Sequence, residues 1–278
     1  MNVDRIEKFG GSLVQHGSSN DRVYLMRLGH KDFPQILNYL NYLAVFNGYS
    51  KIFAKVTGYA KDCFERKGYR VEASIPRFYN AREEVFFMTN FYQSDRLIDD
   101  AADQVHQVLE VARKKADESS GCKMPDGCEC RLATTNDSEQ MANLYAEVFA
   151  SDSFLIQDPD NLAEVMSENL VYAGIWNKDH LLALASAEVD CQGKNAEMKA
   201  FAIHPDWMGH GLANVLLRRL EEEMRSVEIT TCFTLARAKS YGMNICFARS
   251  SYSFSGTLIK NTQISGGLES MNVWYKHI

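Results

Sequence analysis

Phe201-Ala202-Ile203-His204-Pro205-Asp206-Trp207-Met208-Gly209-His210-Gly211-Leu212-Ala213-Asn214 is the stretch on which the reading of this chain turns. A short apolar strand runs into a proline stop, a glycine-bearing loop and the first turn of a helix. Leu212, Leu216, Leu220 and Met224 recur at helical spacing as one apolar stripe, which leaves Arg218, Arg219, Glu221, Glu222 and Glu223 for solvent. A strand–loop–helix of this kind gathers free backbone N–H groups and the positive end of a helix dipole at one spot. Such a spot binds a pyrophosphate without a lysine or a metal.

Around this stretch the pattern is regular. A strand is expected over 128–134, and Asn136 with Glu139 three residues on reads as a capping box for a helix reaching Phe149. A second short helix is expected over 162–169. A hairpin over 170–176 and 181–189 turns at Asn177-Lys178-Asp179-His180. A strand over 197–203 leads into the loop, and the helix over 212–225 follows it. A strand over 231–236, a helix over 242–249 and strands over 253–260 and 269–276 complete the order. Upstream, Leu97, Ala101, Val105, Val108 and Ala112 space a linker helix, and Pro125-Asp126-Gly127 marks a turn after it. The expected division is an N-terminal domain over 1–120 and a second domain over 128–278.

The N-terminal part echoes the C-terminal one. Cys63-Phe64-Glu65-Arg66-Lys67-Gly68-Tyr69 resembles Cys246-Phe247-Ala248-Arg249-Ser250-Ser251-Tyr252, each a short helix running into a strand. A strand over 23–28, a helix over 33–46 and a strand over 51–56 repeat the strand–helix–strand order of 198–236. The intervening Leu28-Gly29-His30-Lys31-Asp32-Phe33-Pro34 has one glycine, so a degenerate copy is expected that does not hold the same ligand.

Composition narrows the function classes. Net charge is −6 with mixed signs, and no basic stripe points to nucleic acid. No apolar run is long enough to span a membrane, and the first residues lack the apolar core of a signal peptide, so a cytoplasmic protein is expected. Seven cysteines, an odd count, suit free thiols in a reducing compartment. Cys122, Cys128 and Cys130 cluster, but their spacing fits no common zinc pattern, and no metal is expected. The sequence leaves a homodimer open. A dinucleotide fold would place Gly-x-Gly-x-x-Gly after its first strand, whereas this loop comes late, and a Walker loop is absent.

The order strand, two helices, hairpin, strand, loop–helix, strand, helix, two strands resembles the GNAT acyltransferases. Met208-Gly209-His210-Gly211-Leu212-Ala213 is similar to their pyrophosphate motif, although Met208 stands where arginine or glutamine is usual. The resemblance implies an α/β (α+β) fold with a mixed, mostly antiparallel sheet flanked by helices. It also implies acetyl-CoA as co-substrate, with Phe201, Ala202 and Ile203 along the pantetheine. Met208, Gly209, His210, Gly211, Leu212 and Ala213 would lie on the pyrophosphate, and Asn244 is counted with these cofactor contacts. Gly209 and Gly211 remove Cβ atoms that would block close approach.

Glu197-Met198, Ala236-Arg237-Ala238, Ser240-Tyr241-Gly242-Met243-Asn244, Gly256-Thr257-Leu258-Ile259, Asn261-Thr262 and Gly266 to Tyr275 are similar to the beta-lysine N-acetyltransferases. That resemblance implies transfer to the terminal amine of L-beta-lysine. A lysine-like amine has a pKa of about 10.4, so neutralising it near pH 7.4 costs about 4 kcal/mol. Glu197 is the expected base, with Glu188 as runner-up. The tetrahedral oxyanion would use strand N–H near Ala202. Alignment puts Phe247 where the superfamily often has a proton-donating tyrosine, so either Tyr241 substitutes or the thiolate leaves unassisted. Arg237 is the expected anchor for the substrate carboxylate, with Asn261, Glu269 and Asn272 as polar partners. The segment 152–159 is expected near the acceptor. Another diamino acid or polyamine as acceptor, and a non-catalytic CoA-binding sensor, remain open.

Overall fold

A computed structural model describes residues 4–117, 124–149, 157–166 and 169–278. The strands are β1 (Arg5–Phe9), β2 (Ser12–Gly17), β3 (Arg22–Arg27), β4 (Lys51–Thr57), β5 (Arg70–Tyr79), β6 (Glu83–Phe91), β7 (Cys128–Leu132), β8 (Leu170–Asn177), β9 (His180–Asp190), β10 (Asn195–Ile203), β11 (Thr231–Arg237), β12 (Ser253–Ile264) and β13 (Gly267–His277). The helices are α1 (Ile36–Asn47), α2 (Gly58–Arg66), α3 (Ala102–Lys114), α4 (Ser138–Val148), α5 (Pro159–Met166), α6 (Leu212–Ser226) and α7 (Tyr241–Arg249). Two compact units form. One takes the chain up to Val105 with Arg237–Lys239 and Ser255–Val273; the other takes His106–Ala236, Ser240–Phe254 and Trp274–Ile278. The division falls inside α3.

One sheet has the order β1-β2-β3-β4-β6-β5 and the other β12-β13-β11-β10-β9-β8-β7. Read from the opposite edge, the second is β7-β8-β9-β10-β11-β13-β12, so the first repeats it without β7. In each, one parallel pair (β3–β4, β10–β11) is joined by a helix, and the strand before it (β2, β9) pairs antiparallel. The echo reaches side chains. Tyr69 N–H bonds the Phe64 carbonyl at 3.2 Å with the rings 4.9 Å apart. Tyr252 N–H bonds the Phe247 carbonyl at 3.1 Å with the rings 5.1 Å apart.

The loop before α1 differs from the loop before α6. Asp32 accepts from the Ser12 N–H at 2.7 Å and from its hydroxyl at 2.6 Å. A Cβ on Gly10 or Gly29 would meet that carboxylate at 2.0 and 2.4 Å. The N-terminal loop is therefore packed by an anion of its own.

In the second unit, α6 buries Leu212, Leu216, Leu217, Leu220 and Met224, each contributing roughly 1.5–3 kcal/mol relative to exposure. Glu221, expected in solvent, is buried at 4% exposure. The buried stripe is wider than the leucine repeat, and Lys276 at 2.8 Å neutralises the carboxylate. On the other face, Met141, Leu144 and Tyr145 of α4 and Leu162 of α5 pack with Tyr172, Trp176, Leu184 and Ala202.

Helix starts also shifted. The capping box is Thr134/Asp137, not Asn136/Glu139, with the Thr134 N–H and hydroxyl both donating to Asp137, at 2.7 and 3.0 Å. Arg131 forks onto the same carboxylate at 2.8 and 2.9 Å, which fixes the choice. α5 begins at Pro159 rather than Leu162 because Asp158 caps it, accepting from the Asp160 N–H at 3.0 Å.

Candidate active site

β10 carries the geometry that matters. It is parallel to β11 only through Asn195↔Thr231, Ala196↔Cys232 and Glu197↔Phe233, after which no ladder joins the two strands. On its other edge β10 pairs with β9, but the register slips between Lys199 and Ala202. Ala200, inside that bulge, has φ +52°, a conformation that costs a non-glycine residue about 1–2 kcal/mol. Tyr145, wholly buried on α4, donates its hydroxyl to the Ala200 carbonyl at 3.2 Å. The bulge sends β10 away from β11, and the half-buried Phe201 at the divergence packs edge-on to Phe247 at 5.7 Å.

The strands diverge toward the glycine loop. Pro205–Trp207 form a 3-10 turn, and Gly209 and Gly211 take φ +81° and +76°. A Cβ built on Gly209 meets nothing within 4 Å, so its cradle is open. Gly211 is the N-cap of α6 and no side chain caps the helix, so its first turn presents backbone N–H groups. Leu212 and Ala213 are buried behind the loop, whereas Met208 is 59% exposed. His210 is exposed with Nδ1 3.1 Å from the Met208 carbonyl. Asn214, passed over in the sequence, ties the start of α6 to α7 by donating to the Cys246 carbonyl at 3.1 Å and to Ser250 Oγ at 3.0 Å.

A charged cluster lies on β9 and β10 just before the bulge. Glu188 and Glu197 are register partners, as are Ser186 and Lys199 one row along the same face. Lys199 forms an ion pair with Glu188. Burial pulls the Lys199 ammonium down, but Glu197, then Glu188, more than offset this and raise it above its usual value. In the Lys199 row on β8 stands Tyr172, whose phenol is raised chiefly by burial, with Lys199 pulling it down and Glu188 pushing it up. Neither Lys199 nor Tyr145 carries a motif; the pairing register exposes Lys199, and the hydrogen bond to Ala200 exposes Tyr145.

Residues 138–243 match the Acetyltransferase (GNAT) family. The chain is 32% identical over 274 residues to a Beta-lysine N(6)-acetyltransferase of Methanococcus maripaludis, covering 99% of both chains. The chain belongs to the GNAT acetyltransferase family. It is also 32% identical over 219 residues to the N-acetyltransferase YodP of Bacillus subtilis, covering 79% of this chain and 77% of that one. A Beta-lysine N(6)-acetyltransferase of Methanosarcina mazei is 28% identical over 262 residues, covering 87% of this chain and 96% of that one.

The remaining expected site residues of this GNAT protein divide. Tyr241, the first residue of α7, is 40% exposed, while Phe247 is buried within the same helix. Asn244 is fully buried; it donates to the Ser240 carbonyl at 2.7 Å and accepts from Trp274 Nε1 at 2.9 Å. Its amide pins α7 to β13 and is not turned to a ligand, because the buried Trp274 indole needs an acceptor.

Glu188, Glu197, Phe201 to Ile203, the loop, Tyr241 and Asn244 belong to one unit, and Arg237, Asn261, Glu269 and Asn272 to the other. Arg237 forks onto Glu269 at 2.9 and 2.7 Å, so the two expected substrate contacts hold each other. Asn272 is buried and accepts from the Thr257 hydroxyl at 2.8 Å. Asn261 is 1% exposed and neither atom of its amide is hydrogen-bonded, while its carbonyl accepts from Arg22.

Among the described residues no His, Cys, Asp or Glu cluster could hold a metal ion. Cys128 and Cys130 share a face of β7, and burial pushes the Cys130 thiol up to about 11. Cys122 and positions 152–156 of the expected acceptor segment lie outside the described residues. No helix among the described residues is long and apolar enough to cross a membrane.

Proposed function

We propose that this protein transfers the acetyl group of acetyl-CoA to the terminal amine of β-lysine, by direct attack and without an acyl-enzyme. The observation that carries the reading is the divergence of β10 from β11 into an uncapped helix start behind two glycines in the left-handed region. A pantetheine is a chain of amides, and the unladdered edge of β10 suits it as a partner strand. The Gly209–Ala213 turn suits the pyrophosphate. The two relatives bearing the β-lysine name support the acceptor.

In this reading the amine nitrogen attacks the thioester carbonyl, and Glu197 takes the amine proton directly or through water. Backbone N–H near Ala202 steadies the oxyanion, and the C–S bond breaks to release CoA thiolate. Tyr241, the exposed hydroxyl at the head of α7, protonates the thiolate, or the thiolate leaves unassisted, as suits a thiol of pKa near 8.5. Arg237 is proposed as the anchor of the substrate carboxylate, which requires its fork to Glu269 to open. The catalytic domain is proposed as 128–278 and the N-terminal part as a copy without cofactor, its loop filled by Asp32. A cytoplasmic location fits the six described cysteines, all free thiols.

A CoA-binding sensor is the second reading, favoured by Met208 at the first motif position and by Phe247 where a proton donor is common. Thiol release from acetyl-CoA, measured against β-lysine, lysine, ornithine and spermidine, separates the readings. Preference for β-lysine supports the acceptor. Preference for lysine or spermidine moves the reading to another amine, and no turnover with any amine favours the sensor.

A further inference from the structure

Glu188 and Glu197 stand opposite each other on adjacent antiparallel strands, where like charges directly facing one another are destabilising unless a cation stands beside them. Lys199 is the cation placed against that pair: two residues along β10 from Glu197, on the same face, and ion-paired with Glu188 on β9. Ser186, the register partner of Lys199, donates its hydroxyl to the Lys199 carbonyl at 3.3 Å, which fixes the backbone from which the ammonium reaches.

We infer that Lys199 is a positioning residue for the acetyl transfer: it ties down Glu188 and cancels the charge facing Glu197, so that Glu197 stands ionised and ready to take the amine proton. The inference rests on the reading of Glu197 as the base. Among the described residues, the groups placed against the cluster are Glu188 on β9, Lys199 on β10, Tyr172 on β8 and Phe233 opposite Glu197 on β11. Tyr172 stays protonated through the range in question, as burial raises it. The Lys199 ammonium, with its pKa raised by the two carboxylates, stays charged there as well.

The test is the pH profile of kcat/KM for the amine at saturating acetyl-CoA. Glu197→Gln comes first: if the rate and the acid limb survive, the base reading is wrong and the inference falls with it. If Glu197→Gln abolishes transfer, Lys199→Met is expected to move the acid limb up by about 1 pH unit. Lys199→Arg is expected to leave the limb in place, and Lys199→Met with Glu188→Gln to return it, since removing the facing carboxylate removes the need for the cation. Affinity for CoA, read by calorimetry, is expected to stay within about twofold in all three, which separates a local effect from misfolding. An unmoved limb in Lys199→Met overturns the inference while leaving the base reading intact. A moved limb that Glu188→Gln does not restore overturns it too, because Lys199 then acts without Glu188.

Discussion

Tyr145→Phe removes one oxygen from a fully buried side chain and tests whether the β10 bulge is a working part. The hydroxyl–carbonyl distance to Ala200 is 3.2 Å, long for an O–H···O bond, so the expected loss of stability is about 0.5–1 kcal/mol. Phenylalanine fills the same space, and no cavity term adds to this. The larger effect is on the strand. Ala200 holds φ +52° at a cost of about 1–2 kcal/mol, and Tyr145 is one of the groups that keep it there. Relaxing the bulge into a regular ladder shifts the register by one residue and turns Ala202 and Ile203 to opposite faces. The expected result is a fall of about 5–10-fold in kcat/KM for acetyl-CoA, equivalent to about 1–1.4 kcal/mol. Ala200→Gly provides the converse. Relief of about 1–2 kcal/mol of strain against about 0.5–1 kcal/mol of added chain entropy predicts stability unchanged or raised by up to about 1.5 kcal/mol. Urea unfolding and thiol-release kinetics measure both variants. Wild-type kinetics in Tyr145→Phe, or clear destabilisation by Ala200→Gly, refutes the account of the bulge.

Gly209→Ala adds a methyl into open space but forces it to φ +81°, so CoA should bind about 5–30-fold more weakly by calorimetry; unchanged affinity would remove the loop from the cofactor site. Asp137 is pulled down to about 2 by the Arg131 fork first, with burial opposing and Thr134 assisting. Its folded value lies below the unfolded value of about 3.9, so its stabilisation is present above that pH and lost as pH falls through about 2. Asp137→Asn should therefore cost about 1–2 kcal/mol at pH 7, allowing for solvent screening at Arg131, and little near pH 2; an equal cost at both pH values would show that the charge is not what stabilises.

Much of the C-terminal order was legible because its signals are local. The expected hairpin over 170–176 and 181–189 forms as β8 and β9, turning at Lys178-Asp179 with Asn177 opposite His180. The helix from Leu212 was legible in its leucine repeat and the strand before it in its apolar run. Other features depend on competition that a sequence does not display. Thr134 rather than Asn136 caps the turn before α4 because Arg131, on a neighbouring strand, holds Asp137 in place. Glu221 is buried because Lys276, fifty-five residues away, reaches it. In the N-terminal part, β1, β2 and β6 went unread, since their residues alternate weakly and their partners define them.

The sequence by itself determined the backbone form of the loop, because glycine freedom, a proline stop and a helix start act within a few residues of one another. It also determined the family, since order and motifs survive in one dimension. Tertiary structure alone decided where β10 leaves β11, that Arg237 and Glu269 hold each other, that Asn244 supports Trp274, and that Lys199 meets the carboxylate opposite Glu197. Each of these is a cross-strand or helix–strand contact set by register, and a register shift of one residue would exchange every partner.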